Sequence, residues 1–226
     1  MVYLHIPKTA GTLFKNCEKL KFVMPFKTCQ THNITLHKHK GDVCFGIRNP
    51  WERFASGYWE RVTNPQRAKL NSMPKHMLYR RGGYTDIMPL ERTLFEQCAT
   101  PNDVITGLRT GTVSKLYDEL QETSKDFRFL TAPLHRWLGE LEEYKQVEHQ
   151  VKAVYDVNCF DKIFKQQYDI ELPTDSFVRR TRDQFDMEQS YDISEENLIW
   201  FTQWRKQDYE LIDYIVQQPY YITETV

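Results

Sequence analysis

Apolar residues come in two rhythms along this chain. Short, nearly unbroken runs, VYLHI at 2–6 and VCFGI at 43–47, have the length and composition of strands buried on both faces. A third run, VKAVYDV at 151–157, is a weaker strand candidate. Between the runs the rhythm changes to a period of about 3.6 residues, which predicts helices near 12–21, 50–62, 88–98, 159–168 and 194–217. The last opens with Ser194 as its N-cap, and Leu198, Phe201, Ile212 and Ile215 form its apolar stripe. Short strands alternating with amphipathic helices predict an α/β fold whose central, largely parallel sheet is flanked by helices.

Length and composition narrow the class. The 226 residues carry no internal repeat, low-complexity tract or Gly/Ser linker, so one domain over 1–226 is expected. With 40% hydrophobic and 27% charged residues, collagen-like and wholly disordered chains are excluded. No apolar run approaches the roughly 20 residues of a membrane-spanning helix, and no signal peptide precedes residue 2, so no membrane anchor is expected. Five scattered cysteines without a CxxC pair suit reduced thiols in a cytosolic protein better than a disulfide scaffold or a zinc site.

The net charge of −1 conceals an asymmetry. Residues 1–113 hold 17 Lys and Arg against 8 Asp and Glu, whereas residues 114–226 hold 13 against 23. Either the first half faces an anionic ligand or the two halves pair with each other. A Pro/Gly-punctuated basic stretch at 63–88, with Arg67, Lys69, Lys75, Arg80 and Arg81 against Asp86, reads as an inserted loop. It is either an acceptor-binding lid or a solvated loop.

Two strand-to-helix junctions carry the chemistry. In HIPKTAGTLF (5–14) a strand enters a helix through small residues, which exposes backbone N–H groups where the helix dipole is positive. Gly11 and Ala10 let the backbone approach a phosphate, Lys8 adds a mobile charge, and Thr9 and Thr12 add hydroxyls. This is not GxxxxGK[ST], because Lys8 precedes Gly11, and VCFGI runs into Arg48 rather than a magnesium-holding Asp. An anion site working without a metal is therefore expected.

The second junction is FGIRNPWERFASGYWERV (45–62), with Asn49 as N-cap and Pro50 as first helical residue. At about 100° per residue, the arc from Trp51 through Phe54, Ala55, Tyr58, Trp59 and Val62 leaves Arg53, Ser56 and Glu60 on a polar face. An Arg48 fork and a Ser56 hydroxyl suit a phosphate monoester. The alternative is an Arg48 salt bridge beside a small surface serine.

Together, HIPKTAGT and RNPWERFASGY resemble the cofactor-binding elements of sulfotransferases that use 3′-phosphoadenosine 5′-phosphosulfate (PAPS). The likeness is to the carbohydrate enzymes of the heparan sulfate 2-O-, 6-O- and chondroitin group, which carry H-x-PKTGGT and then R-[DN]-P-x-x-R-x-x-S. Ala10 stands where the first glycine of the GG pair is usual. FRFLTAPLHRWLG, VKAVYDVNCFDKIFKQQYDIELP and WRKQDYELIDY look like weaker landmarks of the family. The resemblance implies a P-loop-like three-layer fold and transfer of a sulfuryl group from PAPS to a carbohydrate hydroxyl, leaving adenosine 3′,5′-bisphosphate (PAP). It assigns Lys8 and the backbone of Thr9, Ala10, Gly11, Thr12 and Leu13 to the 5′-phosphosulfate, and Arg48 and Ser56 to the 3′-phosphate. Arg179, Arg180 and Arg182 lie where some relatives place a late phosphate contact, though a solvated charge cluster explains them as well.

Members of the family that these motifs resemble use His or Glu as base, commonly from the segment between the two motifs. THNITLHKHKGD resembles family stretches in which a His opens a short helix before the strand bearing the Arg, which points to His32 first and His37 second, with His39, between two lysines, on the surface. An unperturbed imidazole near pKa 6.5 suits a base at neutral pH. The rival readings are a catalytically inactive PAP-binding protein and a small-molecule kinase. No nucleic-acid-binding motif occurs. A cytoplasmic enzyme is expected, or a Golgi-lumenal one if the chain is an excised catalytic domain.

Overall fold

A computed structural model describes residues 1–9, 27–28, 35–70, 89–169, 171 and 191–224. The expected helix at 12–21, most of the basic stretch, and Arg179, Arg180 and Arg182 lie outside these residues. Five parallel strands form one sheet in the order β2-β1-β3-β4-β5: β1 Val2–Tyr3, β2 Lys27–Thr28, β3 Val43–Ile47, β4 Val151–Asp156 and β5 Tyr221–Ile222. The α/β class and parallel sheet agree with the sequence pattern. All five residues of β3 are buried, as an unbroken apolar run requires. The ladder of β1 is short because the chain turns on itself soon after it, the Ile6 amide donating back to Leu4 O at 3.0 Å. Even so, the Leu4 amide still donates to Cys44 O at 2.8 Å.

The chain divides into two compact units. The first comprises Met1–Arg53, Pro133–Asp183 and Arg205–Val226 and holds the whole sheet. Among its described residues the helices are α6 His135–Leu138, α7 Leu141–Val147, α8 Phe160–Tyr168 and α10 Lys206–Ile215. Phe160, Ile163 and Phe164 of α8 pack with Tyr3, Cys44, Ala153 and Tyr155 of the sheet. A side chain of the size of Ile163 or Phe164, fully removed from water, contributes roughly 1.5–3 kcal/mol. Cys44 and Cys98 are buried free thiols and Cys159 a half-buried one.

The second unit, Phe54–Ala132 and Gln184–Trp204, is helical among its described residues. It contains most of α1 Pro50–Leu70, then α2 Pro89–Gln97, α3 Pro101–Thr110, α4 Ser114–Thr123, α5 Lys125–Thr131 and α9 Glu195–Trp204. Thr100 and Asp103 form a reciprocal capping box on α3, with Pro101 in its first turn and Gly111 (φ 82°) closing it. Phe54 meets Phe201 and Trp204 edge-on, and Tyr58 meets Phe95. Glu91 is fully buried, where it accepts from Arg61 Nε at 3.2 Å, from Arg61 Nη2, and from the Ser124 hydroxyl at 2.7 Å.

Three expectations are corrected. First, α1 continues to Leu70, so residues 63–70 are helix rather than loop. Pro65 forgoes one backbone hydrogen bond there without ending the helix. Second, the helix expected over 194–217 is two, parted at Arg205 (φ −107°, ψ 24°). Ser194 does cap α9, accepting from the Asn197 amide at 3.4 Å. Leu198, however, is 40% exposed, and Leu211 takes a buried place beside Ile215. Third, Arg53 and Ser56 do not lie on a solvent-facing side of α1, because both are buried.

Candidate functional site

Lys8 and Arg48 leave the same edge of the sheet. β1 and β3 are parallel neighbours, paired Tyr3 to Cys44, and the chain emerges from them toward Lys8 and Arg48 respectively. Lys8 sits in the left-handed region at φ 66°, a conformation that costs a non-glycine residue roughly 1–3 kcal/mol and concentrates at functional turns. The turn is held from below. The Tyr3 hydroxyl donates to Thr9 O at 2.7 Å, and the Gly46 backbone is a second hydrogen-bonding partner of that phenol. A Cβ at Gly46 would stand 2.9 Å from both Thr9 O and Tyr3 Oη, so only glycine lets the turn lie against β3 here.

Thr9 requires a correction. Its hydroxyl donates to Ile6 O at 2.8 Å, its amide points to the same carbonyl at 3.3 Å, and the residue is fully buried. In this structure Thr9 fastens the turn that carries Lys8 and presents no donor to a ligand. Ala10, Gly11, Thr12 and Leu13 lie outside the described residues, as does His32.

At the second junction Asn49 caps α1, its Oδ1 accepting from the Trp51 amide at 2.9 Å and the Glu52 amide at 3.4 Å. Those two helix-end amides are occupied, and the Arg48 guanidinium brings the charged donors of this junction. Arg48 Nε donates to Glu52 Oε2 at 3.3 Å, and Asn158 Nδ2 donates to the same oxygen at 3.1 Å. Ser56, on the part of α1 within the second unit, is 9% exposed.

His37 stands on the 3₁₀ turn Leu36–Lys38 and is exposed. Its imidazole lies against Gly139 (φ 86°), where a Cβ would collide with it, and Glu143 borders the same point. The structure thus ties His37 to the stretch between α6 and α7, whereas Lys8 and Arg48 share the β1–β3 edge.

Sequence reasoning missed a carboxylate–imidazole pair. Asp208, 1% exposed, accepts from the amides of Leu134 at 2.7 Å and His135 at 3.0 Å, and pairs with His135 Nδ1 at 3.0 Å. Burial alone would raise its carboxyl. The His135 hydrogen bond, the Arg53 charge, the Leu134 amide and Arg205 outweigh burial and hold it below the ordinary value. Arg53 also stands over the Trp137 ring, 5.4 Å from its centroid. Part of the first half's positive excess is thereby matched by the acidic second half, as the Arg109–Glu196 ion pair also illustrates. No signal in the sequence joins Asp208 to residues some 70 positions away, but Gly46 inside a strand and Glu52 four residues after Arg48 were readable hints.

Among the described residues no group of His, Cys, Asp and Glu is arranged to hold a metal ion. No described helix is long and apolar enough to cross a membrane. Comparison with protein-family models, curated proteins and solved structures finds no match to this chain.

Proposed function

We propose that this protein transfers a sulfuryl group from PAPS to an acceptor hydroxyl, most suitably on a carbohydrate. The observation that carries the reading is the shared edge: the two junctions that resemble the sulfotransferase motifs lie on adjacent parallel strands, with Lys8 and Arg48 leaving the sheet together. A P-loop-like fold is part of the same proposal. Lys8 offsets charge as the bond between sulfur and the bridging phosphate oxygen breaks. The acceptor oxygen forms the new bond to sulfur and yields its proton to a base, His32 first or His37 second, and PAP departs. Arg48 holds the 3′-phosphate, and Ser56 is assigned to it by the resemblance alone. ATP lacks that phosphate and leaves the fork unanswered, a desolvation cost of about 1–3 kcal/mol.

The test is titration calorimetry with PAP and, separately, ATP plus magnesium, followed by transfer of labelled sulfate from PAPS to a glycan panel. PAP should bind more tightly than ATP. Arg48→Ala should weaken PAP about ten- to a hundredfold, the value of a charge-assisted hydrogen bond. Equal affinities for PAP and ATP would remove the PAPS assignment.

A further inference from the structure

The residue proposed to hold the 3′-phosphate already holds a carboxylate. Arg48 Nε donates to Glu52 Oε2, and Asn158, on the 3₁₀ turn Val157–Cys159 that follows β4, donates to the same oxygen. Glu52 is therefore fixed from two sides, although its side chain is 38% exposed and meets solvent. The Arg48 side chain is more enclosed, at 17%. A guanidinium has five N–H donors in two edges, and this pair commits the Nε donor while leaving the Nη donors uncommitted to Glu52. The ion pair does two things at once. It restrains the rotation of a long side chain, so less freedom remains to be lost when an anion arrives. It also places a negative charge beside the incoming anion, so a phosphate gains less than it would from an unaccompanied arginine.

We infer that Glu52, anchored by Asn158, is a positioning residue that aims Arg48 and weakens the hold on the bound phosphate, so that the nucleotide product leaves quickly. This rests on the sulfotransferase reading for the identity of the nucleotide, but not for the anion chemistry. Glu52→Gln separates the two effects, because the amide oxygen still accepts from Arg48 and Asn158 while the charge is gone. Asn158→Ala does the converse: it keeps every charge and frees the carboxylate to swing, taking Arg48 with it.

The experiment measures PAP and inorganic phosphate binding by calorimetry at low and high salt, with PAP release by stopped flow and steady-state sulfate transfer. The proteins are the wild type, Glu52→Gln, Asn158→Ala and Arg48→Ala. Glu52→Gln is expected to bind PAP about three- to tenfold more tightly at low salt, with a gain that shrinks as salt screens it. Its PAP release should slow by a similar factor, so that KM and kcat fall together. Asn158→Ala should bind both ligands more weakly than the wild type. A purely structural Glu52 would show lowered thermal stability without this split, and unchanged or weaker PAP binding in Glu52→Gln overturns the inference even if Arg48→Ala abolishes binding. If PAP binds no better than phosphate, while phosphate tightens in Glu52→Gln and is lost in Arg48→Ala, the nucleotide reading fails and the Glu52 inference stands. No response to either ligand in any protein overturns both.

Discussion

Replacing Tyr3 with phenylalanine removes one oxygen from the centre of the sheet and tests what holds the Lys8 turn in place. The hydroxyl is fully buried and donates to Thr9 O at 2.7 Å. Phenylalanine keeps the ring and removes only the hydroxyl, so the losses are the donor to a buried carbonyl and the hydrogen-bonding partner of the Gly46 backbone. Leaving such a group unsatisfied costs about 1–3 kcal/mol. For a chain of this size that is a fall in Tm of roughly 2–12 °C. Burial, and after it the neighbouring Cys44, push the phenol well above its ordinary value, so the donor stays protonated through the neutral range. The sign on the alkaline side follows. A folded-state value above the unfolded one means that this group's contribution is intact below the unfolded value, near pH 10, and fades as pH rises beyond it. Tyr3→Phe should accordingly lie below the wild type at pH 7 and show a flatter alkaline limb in urea titrations between pH 8 and about 11. Because the bond pins the turn carrying Lys8, PAP affinity should also fall, and Thr9→Val, which removes only the bond to Ile6 O, should reproduce part of that fall. A Tyr3→Phe protein as stable as the wild type would refute the reasoning about the pin. One destabilised as expected but unaltered in PAP binding would show that the pin serves the fold and not the site.

Three further outcomes are expected. Glu91→Ala removes the buried carboxylate that pairs with Arg61 and should cost about 3–5 kcal/mol in denaturant titration, whereas Arg61→Met with Glu91→Leu should recover most of it. The lowered Asp208 carboxyl contributes stability above its unfolded value near 3.9 that is lost as pH falls below it, so Asp208→Asn should be less stable at pH 7 by about 1–3 kcal/mol and less acid-sensitive between pH 4 and 2. His32→Ala should keep PAP binding and lose about 10²–10⁴-fold in sulfate transfer; a normal His32→Ala beside an inactive His37→Ala would move the base to His37, and full activity in both would end the histidine reading.

How far the sequence reaches depends on the range of the interaction that decides each feature. VCFGI is a strand because five consecutive apolar residues can be buried only between two layers, and that information is local. Helices α2 and α8 and the Ser194 cap are equally local, set by period and by one side chain reaching its own helix end. The arc around α1 failed where locality ended. Counting polarity placed Arg53 and Ser56 outward, yet a long buried helix has neighbours on several sides, and a cation can be enclosed where distant partners receive it. Such partners include Trp137 and Asp208 for Arg53 and Glu91 for Arg61. Each lies at least 30 positions away in the chain, beyond the reach of any periodicity.

The candidate site divides along the same line. That Lys8 and Arg48 follow strands was legible; that their strands are neighbours, and so leave one edge together, needed the pairing of β1 with β3. Thr9 shows the opposite error. A hydroxyl in a phosphate-loop-like turn reads as a ligand donor, but a left-handed Lys8 must be held by something, and the nearest group able to hold it is the next residue. A turn that commits its threonine to its own geometry has one donor fewer for the proposed anion, and the proposal then leans more on charged side chains, whose reach is longer and whose direction must be fixed from outside. Arg48 answers that demand with two restraints, Glu52 on its Nε and Asn158 behind Glu52. Rigidity at the first junction comes from a phenol and a glycine beneath the backbone, and at the second from a carboxylate beside the cation. Only the second changes the local charge, so salt should discriminate between the junctions: binding changes made at Tyr3 should persist at high ionic strength, and those made at Glu52 should fade.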